Sequence, residues 1–133
     1  MMMDEAITHF KVPVESDVER TSQHPRACLG PDGSVAHVGR VFRMLGGRWK
    51  LPILFRLFAA PSLRSSQLLR DMPGLSQKVL TDQLRALEKD GLVERRDFNE
   101  QPPRVEYAVT RAGQDLMPVL LAVREFSRDH PAA

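Results

Sequence analysis

The stretch that decides the fold is Ser76–Arg96, which reads "SQKVLTDQLRALEKDGLVERR". Leu84 and Leu87 fall within about 40° of Leu80 on a helical wheel, so the three leucines form one apolar face. The opposite face is polar and mostly charged. A single glycine then separates this pattern from a short strand-like run that ends in two arginines. The stretch therefore predicts a helix over residues 76–90 that leads directly into a basic strand.

A tight turn precedes this helix. "SSQLLRDM" (Ser65–Met72) predicts a short helix that Pro73–Gly74 stops. A Pro-Gly turn between two helices is typical of a helix-turn-helix. After the longer helix, "LVERRDF" and "RVEYAVT" enclose "NEQPP", which predicts a two-stranded hairpin with a proline-stiffened tip.

Three further helices complete the expected order. "VAHVGRVFRML" (residues 35–45) has amphipathic spacing, with Ser34 as its predicted N-cap. "RWKLPILFRLFAA" (residues 48–60) is mostly apolar and predicts a buried helix, and a last helix runs from Thr110 onward. The chain is therefore predicted to be mainly α with a small β-hairpin, an α+β arrangement of winged helix-turn-helix type.

Length and composition suit one domain, with 133 residues of which 42% are hydrophobic. We expect a flexible N-terminal arm at 1–34, where prolines and glycines are frequent, a folded domain at 35–128, and a C-terminal tail at 129–133. The sequence has no apolar run of about 18 residues and no signal-peptide order at its start, so no membrane partner is expected. With Cys28 as its one cysteine, the chain is predicted to be cytoplasmic.

Charge is unevenly distributed along the chain, although its net value is only +2. Residues 1–34 carry three Lys and Arg against six Asp and Glu, a net of −3. Residues 35–110 carry 13 against eight, a net of +5. A basic central segment indicates a polyanionic partner, of which nucleic acid is one class.

The polar face of the predicted 76–90 helix carries the chemistry of a major-groove reader. Arg and Lys contact guanine, Gln contacts adenine, and hydroxyl groups bind phosphate or base. The free N–H groups at the helix N-terminus favour phosphate, and the hairpin adds arginines beside the helix. The candidate contacts to double-stranded DNA are Ser76, Gln77, Lys78, Thr81, Arg85, Arg95, Arg96 and Arg104.

The last helix carries an apolar stripe that a single small domain would leave exposed. A symmetry-related copy would cover the stripe, with help from the first helix, so we expect a homodimer with its two reading helices roughly 34 Å apart. The predicted dimer contacts are Val38, Val41, Phe42, Leu116, Leu120, Val123 and Phe126.

Three blocks, "MLGGRWKLPILFRL", "MPGLSQKVLTDQLRALEKDGLVERR" and "PPRVEYAVTRAGQDL", resemble the signatures of HxlR-type transcriptional regulators, winged-helix relatives of the MarR group. The resemblance covers Val35 to Phe126. It implies a homodimeric bacterial regulator of a two-fold DNA site, with repression favoured over activation. In that reading residues 76–90 form the recognition helix and residues 95–104 the wing, and a small-molecule effector is an open alternative.

Two positions differ from the family pattern. Members often carry a cysteine ten residues ahead of the first glycine of "GGRW", where this chain has Ala36, and Cys28 lies eight residues earlier. Cys28 is either an incidental thiol or a candidate redox thiol at a different place. Ser65 replaces a usual aromatic residue and is added to the candidate DNA contacts.

Two alternative functions stay open. The first is a winged-helix protein-interaction module without DNA binding, which Asp82 in the middle of the reading face favours. The second is a thiol-based redox switch through Cys28. Glu106 is expected to hold an arginine of the recognition helix. No nucleophile–base pair, phosphate loop or ligand spacing is present in the sequence, so no enzyme activity, catalytic residue, metal or cofactor is expected.

Overall fold

The computed structural model describes residues 28–132. Its elements in chain order are α1 (Ser34–Met44), α2 (Lys50–Phe58), α3 (Ser65–Asp71), α4 (Gln77–Lys89), β1 (Val93–Asp97), β2 (Val105–Val109) and α5 (Arg111–Asp129). This order confirms the predicted mainly α fold with a small β-hairpin. Most of the predicted arm lies outside the described residues.

The described chain falls into two compact units that meet in sequence at Gly47 and Arg48. In the first unit, no residue of α1 is buried, and Val35, Val38 and Phe42 are 58%, 52% and 68% exposed. The prediction that Ser34 caps this helix is wrong. Gly33 is the N-cap, because its carbonyl already accepts the first helical hydrogen bond, from the N–H of His37 at 3.2 Å.

The core of the second unit lies between α2, α3 and α4. Each helix contributes leucine or isoleucine side chains at helical spacing, and their burial is the main favourable term in folding. The almost completely buried members are Ile53, Leu54, Leu57, Leu68, Leu80, Leu84 and Leu87. The predicted apolar face of the 76–90 helix is therefore confirmed, and α4 is held through that face.

The hairpin is antiparallel, and its register runs from Val93 opposite Val109 to Asp97 opposite Val105. The backbone of Leu63 also pairs with Tyr107 through two hydrogen bonds of 2.9 and 2.8 Å. This pairing ties the residues just before α3 to the second strand of the hairpin. The helix-turn-helix and the wing are therefore joined through the sheet as well as through α4.

A close contact joins the start of α5 to the start of the wing. The hydroxyl of Thr110 accepts from the N–H of Gly113 at 3.1 Å and donates to the carbonyl of Gly91 at 2.5 Å. A Cβ atom on Gly113 would lie 2.4 Å from the carbonyl oxygen of Leu92, well inside contact distance. Glycine is required at position 113 because backbone occupies that space.

The buried face of α5 is formed by Gly113, Met117, Pro118 and Leu121. It is a different face from the apolar stripe noted in the sequence. On that stripe Leu116 and Leu120 are half-buried, whereas Val123 and Phe126 are 57% and 66% exposed. Within the single described chain, the stripe is therefore left largely open near the C-terminal end of the helix.

Candidate nucleic-acid interface

The turn between α3 and α4 positions the reading helix. Met72 and Leu75 are buried within it, and Gly74 adopts a φ of +91°, a left-handed conformation that favours glycine. The hydroxyl of Ser76 then caps α4 by accepting from the N–H of Val79 at 3.1 Å. The first turn of α4 is therefore fixed by two buried side chains and a cap.

The predicted reading face of α4 lies on the surface. Ser76, Gln77, Lys78 and Arg85 are exposed, and Thr81 is half-buried. Among residues 28–132 neither Lys78 nor Arg85 forms an ion pair, and Asp82 forms none either. Both positive charges are therefore available to an external anion.

Gln77 and Thr81 are linked on this face by two hydrogen bonds. The side-chain amide nitrogen Nε2 of Gln77 lies 3.2 Å from Oγ1 of Thr81. The Thr81 hydroxyl lies 2.9 Å from the backbone carbonyl oxygen of Gln77, to which it donates. The hydroxyl that the sequence offered as a DNA contact is thus engaged with its own helix.

The wing differs from α4, because each of its predicted DNA-contacting arginines is paired with a carboxylate. Arg96 binds Glu94 at 2.6 Å, and Arg95 lies 3.8 Å from Asp97. The register places Arg95 opposite Tyr107 and Arg96 opposite Glu106. Since neighbouring strand residues point to opposite faces, the two arginines lie on different sides of the hairpin.

Arg104 is the most constrained cation of the wing. It binds Glu106 at 2.8 Å and Glu100 at 3.3 Å, and its guanidinium lies 3.9 Å from the ring centre of Phe98. These contacts hold the Arg104 side chain between β2 and the residues that follow β1. Phe98 and Glu100 are neighbours of Arg104 that the sequence did not single out.

Glu106 connects the wing to the residues before α3. It accepts hydrogen bonds from the Ser62 hydroxyl and from Arg104. Both bonds lower the pKa of its carboxyl, and the bond from Ser62 has the larger effect. The expectation that Glu106 holds an arginine of the recognition helix is wrong. Both of its oxygens are engaged by residues outside α4, and sequence spacing does not show that Ser62 lies beside β2.

Two exposed cations on and beside α3 were missed in the sequence. Arg64 is the N-cap of this helix and Arg70 lies in its last turn. Neither has an ion-pair partner within the described part of the chain. Ser65, the predicted contact and the first residue of α3, is half-buried. The signal that would have found Arg64 and Arg70 is the lack of any Asp or Glu between Asp32 and Asp71.

The remaining candidates lie apart from this face in sequence. Cys28 is half-buried, and so is Val41 of α1. Within residues 28–132 no three His, Cys, Asp or Glu side chains come together as metal ligands. No helix in the same range combines the length and apolarity needed to cross a membrane.

Comparison with known proteins agrees with this arrangement. The family model described as "HxlR-like helix-turn-helix" matches residues 44–132. The chain is 38% identical to the uncharacterised HTH-type transcriptional regulator sll1512 of Synechocystis sp. over 97 residues, which are 73% of this chain and 71% of that protein.

Two solved structures share the fold. One, from Enterococcus faecalis V583, is assigned to the MarR family of transcriptional regulators; it is 39% identical with a TM-score of 0.68, over 71% of this chain and 84% of the other. The other is the redox regulator HypR in its oxidised form. It is 32% identical with a TM-score of 0.63, over 72% of this chain and 98% of HypR. These relatives are named as transcriptional or redox regulators. The chain belongs to the HxlR-like helix-turn-helix family and is a transcriptional regulator.

Proposed function

We propose that the protein is a dimeric, sequence-specific DNA-binding repressor that acts in the cytoplasm. In this proposal α4 enters the major groove of a two-fold operator, and bound protein blocks polymerase at the promoter. One observation carries the proposal: α4 presents Lys78 and Arg85 without ion-pair partners among the described residues, on a helix whose other face is buried. Phosphate neutralisation would supply most of the affinity and base contacts the specificity.

The wing is proposed to lie along the flanking backbone or minor groove. Arg104 is the best-supported contact there, because Glu106 and the Phe98 ring hold its guanidinium in a defined place. Arg95 and Arg96 lie on opposite faces of the hairpin. In one binding pose, therefore, only one of the two faces the DNA.

Dimerisation is proposed to use α5 and α1, each of which carries exposed apolar side chains. On α5 these are Val123 and Phe126, and on α1 they are Val38 and Phe42. Burying such side chains against a second copy would remove apolar surface from water. A two-fold pair of this kind would place two copies of α4 roughly one DNA turn apart.

The test is fluorescence anisotropy on the DNA upstream of the gene and on a scrambled duplex, across a salt series. We expect nanomolar binding to the upstream DNA, weaker binding to the scrambled duplex, and a linear fall of log affinity with log salt. Lys78→Glu with Arg85→Glu should abolish binding to both duplexes. Gln114→Ala, an exposed change on α5, is the matched control and should leave binding as it is.

Equal binding of both duplexes, unaffected by the charge reversal, would contradict the proposal. A genome-wide binding-site selection that also recovered no sequence would favour a protein-interaction module in its place. Analytical ultracentrifugation of Val123→Glu with Phe126→Glu tests the dimer separately. A dimer that survives both changes would rule out this α5 surface.

A second function is favoured by the likeness to HypR, which is called a redox regulator. Under this proposal oxidation at Cys28 changes DNA affinity. Affinity measured for reduced and oxidised protein should then differ, and the difference should vanish in Cys28→Ser. Cys28 is the one cysteine of the chain, so Cys28→Ser has no thiol left to oxidise. A difference in affinity that persists in this variant would exclude Cys28 as the sensor. A small-molecule effector stays a prediction.

A further inference from the structure

We propose that Gln77 reads an adenine in each half of the operator and that Thr81 is its positioning residue. The inference rests on the proposed function and makes it more specific, since it names one base pair. The starting observation is the pair of hydrogen bonds that links the two side chains on the exposed face of α4.

These bonds determine which way the Gln77 amide points. A threonine hydroxyl has one hydrogen, and that of Thr81 is donated to the backbone carbonyl of Gln77 at 2.9 Å. Oγ1 can therefore only accept from the Gln77 side chain, 3.2 Å away. The atom facing it must be the amide nitrogen Nε2, which can donate, and Oε1 must point away.

The outward-facing atoms then match one base. Oε1 is left as an acceptor, since within residues 28–132 it has no hydrogen-bond partner, and Nε2 keeps its second hydrogen as a donor. Adenine offers the complementary pair in the major groove, a donor at N6 and an acceptor at N7. Guanine presents two acceptors there, and cytosine and thymine lack this combination.

The location of Gln77 supports the same assignment. It is the first residue of α4, directly after the Ser76 cap, and it is exposed. The N-terminal residues of a recognition helix are the ones that contact base edges. The link to Thr81 also removes rotamer freedom before DNA binds, which lowers the entropic cost of the contact.

The test is a binding-site selection from randomised duplex DNA with full-length wild type, Gln77→Ala, Thr81→Val and Lys78→Gln, followed by affinities for single-base changes. For wild type, one A·T pair in each half-site should be preferred about 5- to 150-fold over the other base pairs, the range for a bidentate contact. Gln77→Ala should lose the preference at that position and keep the rest of the motif. Thr81→Val should lose part of it.

Lys78→Gln is the matched comparison, because it changes the neighbouring exposed residue. It should weaken DNA binding and keep the A·T preference that is assigned to Gln77. A Gln77→Ala variant that selects the wild-type motif with unchanged preferences would overturn the inference and leave the proposed function standing. So would a loss confined to a G·C position. A wild-type protein that selects no motif would overturn both, and circular dichroism melting would show that the variants are folded.

Discussion

Helix α4 and the hairpin both contain basic residues, yet their cations are in different states. On α4, Lys78 and Arg85 have no ion-pair partner in the described chain, whereas on the hairpin Arg95, Arg96 and Arg104 each have one. Residues 93–106 carry three arginines and four carboxylates, a net of −1. Counting basic residues therefore does not show which of them an incoming phosphate can reach.

Energetics make the difference testable. An exposed ion pair contributes about 0–1 kcal/mol, so a phosphate can displace it at modest cost. A paired arginine nevertheless exchanges one anion for another when DNA binds. An unpaired arginine gains its first partner and releases a counterion from the DNA. We therefore expect α4, with Arg64 and Arg70, to dominate the salt dependence, and the wing to contribute less per charge.

The largest effect is expected where the two regions are joined. Gly113→Ala places a Cβ atom against the backbone of Leu92, which links α4 to β1, so a displacement there would shift both regions. Overpacking of this kind costs about 1–3 kcal/mol of unfolding free energy. Chemical denaturation measures that cost.

Gly39→Ala is the matched control for this substitution. Its Cβ would lie 3.4 Å from the flexible end of Arg43, and alanine favours a helix by about 1 kcal/mol over glycine. It should be neutral or stabilising. Equal stability of the two variants would show that the junction tolerates a side chain.

The next effect separates the two groups of cations. Arg85→Ala should reduce the magnitude of the negative slope of log affinity against log salt by about 0.9, the value of one phosphate contact. Arg96→Ala should lower it by less, because Arg96 is already bound to Glu94 at 2.6 Å. Anisotropy titrations at five salt concentrations give both slopes. Equal reductions would mean that the intrachain pair has no influence.

A smaller effect is expected from releasing a wing cation. Glu94→Gln leaves Arg96 without its partner and should strengthen DNA binding at low salt by less than about 1 kcal/mol. Asp115→Asn removes a similar exposed pair with Arg111 on α5 and serves as the control. If neither variant binds more tightly, the pairing in the wing does not limit its contact with DNA.

The smallest effect is confined to acid. The pKa of Glu106 is lowered below its ordinary value of 4.5 by the Ser62 and Arg104 hydrogen bonds. The folded state therefore binds the proton less readily than the unfolded state. The contribution of Glu106 to stability is present above pH 4.5 and is lost as pH falls through the lower folded value.

Glu106→Gln should remove this part of the pH dependence. Urea unfolding of both proteins between pH 7 and 3 measures it, and the two stabilities should converge as the pH falls. Curves that stay parallel throughout would show that the contacts of Glu106 with Ser62 and Arg104 do not depend on its charge.

Local pattern was enough to predict most of the architecture. Leu80, Leu84 and Leu87 define the buried face of α4, since helical spacing alone places them together. The Pro-Gly turn and the alternating strands predicted the helix-turn-helix and the hairpin for the same reason: each depends on residues close in sequence. Ser34 failed as a cap because capping depends on where the chain first turns, and the turn comes one residue earlier.

By itself, then, the sequence determined the order of elements, the apolar face of α4 and the identity of the polar residues that α4 exposes. Only the tertiary structure decided which charges are paired, that Ser62 binds Glu106, and that Gly113 lies against Leu92. The last two contacts join residues 44 and 21 positions apart, which no local period can bring together. The ion pairs of the wing join residues only two to four positions apart, and there the folded hairpin decides which carboxylate each arginine meets. The availability of a cation depends on such neighbours, whereas its presence depends on the sequence alone.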